Sequence, residues 1–207
     1  MKKLSLLAAL VLSAALTACS SAEEKPEGII QPADGVAPNF SVAYEKRIEQ
    51  YSAGDTEYAG LYNNFEYKAT LYNSFIRDQL LDRQAGFYQW DAAKKTAERD
   101  KAISKSATET QVFLSFFTPD HKNDNLADSK TIWNLYLEVG GQRYSGKVTR
   151  SKQLLAEIQS LFPYANRWGT AYYVTFPVAT NVVETQISKM TITGPLGTRA
   201  IEFAAMR

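Results

Sequence analysis

The side chains able to do chemistry are few in this sequence. His121 is the only histidine and Cys19 the only cysteine, so a two-histidine metal helix is impossible and a zinc cluster of the common type lacks ligands. A Ser-His-Asp triad would have to use His121. Its neighbour Asp120 adjoins it in sequence, where side chains seldom aim at each other, and no G-x-S-x-G elbow accompanies them. No segment reads G-x-x-x-x-G-K-[ST] or G-x-G-x-x-G, so neither a phosphate cradle nor a dinucleotide site is expected. Glu45, Glu57, Glu66, Glu138 and Glu184 are scattered as on a solvated surface, whereas a carboxylate-based hydrolase needs two that converge. No catalytic residue and no cofactor are therefore expected.

Two polar segments could bind something. In the first, residues 120–128, Asp120, Asp124 and Asp128 stand at four-residue intervals with Asn123 and Asn125 between them. Such oxygens suit calcium, but the spacing is not that of the calcium-loop motif and no glutamate closes it. Asp and Asn are also the ordinary residues of turns. In the second, Tyr164, Asn166, Arg167, Trp168, Tyr172 and Tyr173 fall within ten residues. Flat apolar rings beside fixed donors serve sugars or protein partners, unless the rings fill the core, as alternation already requires of Tyr172.

The elements that must position these segments differ in period. Phe40, Tyr44, Ile48 and Tyr51 recur at helical steps after Asn39, predicting a helix that ends near Gly54. Phe65, Tyr67, Ala69 and Leu71 alternate as one face of a strand. A longer helix, capped by Asn73 or Ser74, carries Ile76, Leu80, Phe87 and Trp90 inward, with Gly86 as a candidate break, and continues as a polar stretch. There Asp91 with Lys95 and Lys94 with Glu98 form four-residue pairs. The helical insertion thus covers about residues 74–108.

From residue 111 to 207 the period is two. Val112, Leu114 and Phe116 alternate, as do Trp133, Leu135, Leu137 and Val139 ahead of Gly140-Gly141, a two-residue hairpin turn. Tyr144, Gly146 and Val148 form the return strand. Ser151 caps a short helix with Leu154, Leu155, Ile158, Leu161 and Phe162, closed by Pro163. Tyr172 to Val178, Ile187 to Thr193 and Ile201 to Ala205 supply the last strands, the final pair joined by Gly194-Pro195-Leu196-Gly197. On this pattern Tyr173 and Thr175 face solvent or the inserted helix. About seven short, mostly antiparallel strands with one long and one short helix predict a mainly β fold, an antiparallel β-sandwich with helical insertions. It resembles an immunoglobulin-type sandwich in strand count and spacing, without the cysteine pair of antibody domains.

The first 21 residues carry a more specific signal. Lys2 and Lys3 precede about thirteen uncharged residues from Leu4 to Leu16, too few for a permanent span, which needs roughly twenty. This is a signal peptide, residues 1–18. It ends in Leu16-Thr17-Ala18-Cys19, which resembles the lipobox of bacterial lipoprotein precursors. That resemblance implies cleavage before Cys19, a diacylglycerol on its thiol and further acylation of the freed amino group. Two or three chains hold a protein in a bilayer durably, since each buried methylene contributes about 0.8 kcal/mol. In diderm lipoproteins Asp after the cysteine favours inner-membrane retention, so Ser20 implies an outer-membrane lipoprotein facing the periplasm. Residues 19–38, beyond the cysteine rich in Pro, Gly and charge, predict a flexible tether with a span of roughly 25 Å. Residues 39–207 then form a single globular domain.

The chain has 23 Lys plus Arg and 22 Asp plus Glu; loss of Lys2 and Lys3 leaves 21 against 22. Balanced charge provides no field for nucleic acid. The expected function is a non-catalytic interaction or structural module, anchored to the lipid bilayer through Cys19 and docking another envelope protein. The alternatives are a small-ligand or carbohydrate binder using Trp168, Arg167, Asn166, Tyr164 and Tyr173, and a carboxylate-based hydrolase.

Overall fold

Alternation along the strands produces one apolar face per strand, and two such faces closed on each other make the core. The computed structural model describes residues 39–206; the expected signal peptide, Cys19 and the expected tether lie outside the described residues. The chain runs through helix α1 (Asn39–Gln50), strands β1 (Ser52–Ala59) and β2 (Tyr62–Leu71), helices α2 (Ser74–Phe87) and α3 (Ala92–Ser106) and strand β3 (Thr110–Phe117). Then follow β4 (Asn134–Val139), β5 (Gln142–Ser145), β6 (Lys147–Arg150), α4 (Leu155–Leu161), β7 (Thr170–Phe176), α5 (Thr180–Glu184), β8 (Ser188–Gly194) and β9 (Gly197–Phe203).

Nine strands form two antiparallel sheets, β1-β2-β3-β7-β6 and β5-β4-β8-β9. The fold is a β-sandwich with helical insertions. If β2 to β9 are lettered A, B, C, C′, D, E, F and G, the sheets read A-B-E-D and C′-C-F-G. That is the strand order of an immunoglobulin-type sandwich with a C′ strand, with β1 added outside A. Trp133, just ahead of β4, packs edge-on against Phe65 and Phe116 at 5.0 and 5.2 Å and donates from Nε1 to the Asn123 carbonyl at 2.7 Å.

The larger sheet is buried on both faces for half its length. Val112, Leu114 and Phe116 of β3 point into the inter-sheet core. Phe113 points the other way, into a second core with Tyr44 and Ile48 of α1, Ile76 and Leu80 of α2, and Ile158, Leu161 and Phe162. The near-continuous apolar run of β3 reflects this central position. Phe113 and Phe162 stack at 3.7 Å with planes 3° apart.

Several expectations are corrected. Among the described residues the strands number nine where about seven were expected, and the helices five where one long and one short were expected. The helix of α1 stops at Gln50, and the polar run that follows is β1, held by its register with β2 from Ser52↔Thr70 to Ala59↔Tyr62. The predicted 74–108 helix is two. Gln89 takes a left-handed φ of 52°, and Asp91, instead of pairing with Lys95, caps α3 by accepting from Lys94 N at 2.7 Å. Phe87 is consequently exposed rather than inward. Asn73 caps α2 by accepting from Ile76 N, as expected, and Lys94 pairs with Glu98 at 2.7 Å. Leu154, not Ser151, occupies the N-cap of α4.

The single return strand predicted across residues 144–148 is split. β5 pairs with β4 and β6 with β7, so the chain changes sheets at Gly146, where a Cβ would lie 2.7 Å from Val174 Cγ1. Gly140 and Gly141 both have positive φ, 57° and 78°, as the expected tight hairpin turn requires.

Burial pushes the Tyr44, Tyr67 and Tyr172 phenols well above their usual range. An unfolded phenol ionises near pH 10, so these groups stabilise the fold fully below that pH. The stabilisation is lost as pH rises above it, by up to about 1.4 kcal/mol per tyrosine per pH unit. Absorbance at 295 nm is expected to show an early set of the twelve tyrosines and a delayed set that ionises together with loss of near-ultraviolet circular dichroism. A single unsplit titration with retained dichroism would contradict the burial.

Candidate functional site

The helical layer covers only one half of the outer face of the larger sheet. In the uncovered half, cross-strand pairing aligns Gly54, Lys68, Ser115 and Ala171 in one row. Ser151 continues the row through its N–H to the Ala171 carbonyl at 2.8 Å. Small residues at four of these five positions leave a trough. Three separate depressions lie along it: Glu49, Gly54, Asp55 and Glu66 at the β1 end, Lys68, Ser115, Asn166 and Trp168 in the middle, and Ser151, Gln153 and Arg167 at the β6 end; Arg150, paired with Tyr172, belongs to the opposite face of the sheet.

The segment from Pro163 to Gly169 forms one wall. Asn166 Oδ1 accepts from the backbone of Trp168 at 2.8 Å and Gly169 at 3.1 Å, folding the segment tightly onto the sheet. A Cβ on Gly169 would lie 2.6 Å from Ser115 Oγ, so close approach requires glycine there. Trp168 is 64% exposed, with the Arg167 guanidinium 4.5 Å from its ring centre.

The predicted aromatic constellation is thereby divided. Asn166, Arg167 and Trp168 share the exposed wall. Tyr164 turns inward, its hydroxyl 2.7 Å from Thr70 Oγ1, which in turn bonds Ser52 Oγ at 2.6 Å. Lys68 lies over the Tyr164 ring and pairs with Glu49 at 2.6 Å. Tyr173 donates to Gln153 Oε1 at 2.5 Å beneath the helices rather than toward solvent. Burial raises the phenol pKa of both, which suits neutral structural hydroxyls.

The 120–128 segment does not assemble a metal centre. Asp120 accepts from Lys122 N at 3.1 Å. Asp124 accepts from the Tyr172 hydroxyl at 2.7 Å and from Thr170 Oγ1, pinning the loop to β7. Among the described residues no three His, Cys, Asp or Glu side chains converge as a metal would need, so Asp120, Asp124 and Asp128 are not brought together. Of the dispersed glutamates, Glu57 pairs with Arg199 at 2.7 Å, Glu138 with Arg143 at 2.6 Å, and Glu184 accepts from Ser74 N at 2.8 Å.

Two groups of exposed apolar residues stand outside the cores, the second including Phe87, which periodicity had placed inward, and Leu154 and Leu155 of the predicted short helix. At the β1–β2 hairpin, Leu61 is 100% exposed, Tyr62 80% and Tyr58 56%. On the helical layer Phe87, Tyr88, Leu154 and Leu155 are exposed, with Tyr88 bonded to Glu157 at 2.9 Å. Isolated apolar residues on a surface are ordinary, but grouped ones mark contact faces. The hairpin was legible only as Gly60-Leu61 between Tyr58 and Tyr62, once β1 is known to be a strand. No protein-family model, curated protein or solved structure matches the chain. The functional reading therefore rests on this geometry and on the sequence.

Proposed function

We propose that the protein is a membrane-tethered, non-catalytic interaction module: an outer-membrane lipoprotein, acylated at Cys19 and facing the periplasm, whose domain docks another envelope protein through the β1–β2 hairpin. The observation that carries the docking reading is the fully exposed Leu61 flanked by exposed Tyr58 and Tyr62. A strand-borne tip loses little conformational freedom on binding, and Tyr and Leu side chains give large contact area for that small ordering cost. The Leu16-Thr17-Ala18-Cys19 sequence supports the anchor, and the tether of residues 20–38 would hold the domain within roughly 25 Å of the membrane surface.

Photo-crosslinking in intact cells tests both parts. A photoreactive residue at position 61 or 62 is expected to yield one defined protein adduct, absent from position 101 on α3. The position-61 adduct should be lost in a Tyr58→Ser, Tyr62→Ser double variant. Cys19→Ala is expected to move the protein from the membrane to the soluble fraction. Adducts at position 88 with none at 61 or 62 would transfer docking to the helical layer, and a membrane-bound Cys19→Ala protein would end the lipoprotein reading.

A further inference from the structure

We infer that the cavity between α2, α3 and the start of β3 binds a small apolar carboxylic acid, a single aromatic ring or a short chain, with Arg77 receiving the carboxylate. This site is separate from the hairpin and independent of the docking reading.

Arg77, Leu81 and Gln84 follow one another on α2 at steps of four and three residues, which places them on one stripe of the helix. They line the cavity together with Ala102 and Ser106, one turn apart on α3. Ala102 and Ser106 are too short to fill the gap between the helices, and Thr180 at the start of α5 is short as well. A cavity of about 120 Å³ is left over Gln111 of β3. Leu80, Leu81 and the Tyr72 ring supply apolar walls, and Lys105 and Glu109, paired at 3.1 Å and partly exposed, form the rim. Apolar cavities of about 150 Å³ hold a benzene ring. The space therefore suits one ring or a short chain whose polar end reaches the rim, and it is too small for a lipid tail.

The unused polar groups narrow the class. The Arg77 side chain is only 16% exposed. Its Nε donates to Asp78 at 3.0 Å and Nη1 to Ser106 Oγ at 3.2 Å, while Nη2 has no partner among the described residues. Asp78 is 41% exposed, so water screens much of its charge and the guanidinium retains a strong donor. The side-chain amides of Gln84 and Gln111 also make no hydrogen bond among the described residues. A charged planar donor and two amides beside leucine walls match a carboxylate on an apolar body. A neutral ring would leave the guanidinium nitrogen unpaired, and a bare carboxylate would leave the leucines uncovered. Entry is cheap, because α3 has no buried residue and is held to α2 by exposed pairs of Asp82 with Lys95 at 2.9 Å and Arg99 at 3.4 Å. Such exposed pairs contribute little.

The test titrates the full-length chain in detergent micelles with para-fluorobenzoate, followed by fluorine NMR, with micelles alone as the blank. Para-fluorobenzyl alcohol is the neutral counterpart, and fluoroacetate carries the charge without the ring. Para-fluorobenzoate is expected to bind saturably, about tenfold tighter than the alcohol, and fluoroacetate not at all. Arg77→Gln should weaken the benzoate about tenfold, the order expected for a lost charged hydrogen bond, and leave the alcohol unchanged. Ala102→Leu, which fills the cavity, should abolish binding of both rings with unchanged circular dichroism. In the unmutated protein the side-chain amide NMR signals of Gln84 and Gln111 should shift with the same midpoint, which locates the ligand without a variant. Absence of saturable benzoate binding overturns the proposal, and so does binding that leaves both amide signals unmoved. The alcohol binding as tightly as the benzoate would remove the role of Arg77 and overturn it equally.

Discussion

Replacing Phe162 by alanine is expected to lower the unfolding free energy by about 3–5 kcal/mol, the range for a fully buried phenylalanine. Its ring lies flat on Phe113 at 3.7 Å and within 6.0 and 6.2 Å of the Tyr72 and Tyr164 rings. Both Phe162 and Phe113 are inaccessible to solvent. The cavity opens between α4 and the larger sheet, where neighbours on three elements restrict collapse. For a domain of this size the loss corresponds to roughly 6–20 °C in Tm. Phe162→Leu keeps much of the volume and should cost less than half as much. Urea unfolding with an unchanged m value is the measurement. A cost below about 1 kcal/mol would mean that the helical layer does not unfold with the sandwich, and the second core would have to be redrawn as a weakly coupled shell.

Asp124→Ala is expected to cost about 2–4 kcal/mol, far more than a surface aspartate, whose replacement usually changes stability by less than about 0.5 kcal/mol. Its carboxylate accepts from the Tyr172 hydroxyl at 2.7 Å and from Thr170 Oγ1. Tyr172 is almost wholly buried, and truncation leaves its hydroxyl, as a donor, with only the Asp124 carbonyl at 3.3 Å. An unsatisfied buried group costs about 1–3 kcal/mol and a hydrogen bond to a charged group adds about 1.5–3. Asp124→Asn keeps one carbonyl acceptor and should be milder. Paired with Tyr172→Phe in a double-mutant cycle, Asp124→Ala should show strongly non-additive losses, because both variants delete the same bond. Additive losses would show that Asp124 stabilises the loop by some other route.

These two positions mark the limits of local pattern. Phe162 was legible as apolar and close to Pro163, yet its stacking on Phe113 joins segments some fifty residues apart. Asp124 looked like a turn residue or a calcium oxygen, because sequence spacing does not say which hydroxyls from β7 will reach it. Strong alternation made β2, β3, β4, β7, β8 and β9 readable, and the two glycines at 140 and 141 marked their turn by a backbone conformation other residues avoid. β1 was not readable, since Ser-Ala-Gly-Asp-Thr-Glu-Tyr-Ala has no alternating apolar face. It is a strand only because the edge of β2 offers it a ladder. The trough was equally hidden: Gly54, Ser115, Ala171 and Ser151 come from four distant segments and become neighbours through register alone.

The sequence by itself determined the patterning that demands a packed β-sandwich and the shortage of histidine and cysteine, and it carries the expectation of a lipoprotein address, because those follow from residue type and local period. Only the tertiary structure decided where the chain changes sheets at Gly146, which aromatics face solvent, and that Trp168 stands with Arg167 beside an uncovered sheet face. Those are properties of pairing and layering between distant segments, and no local period encodes which half of a sheet the helices will leave bare.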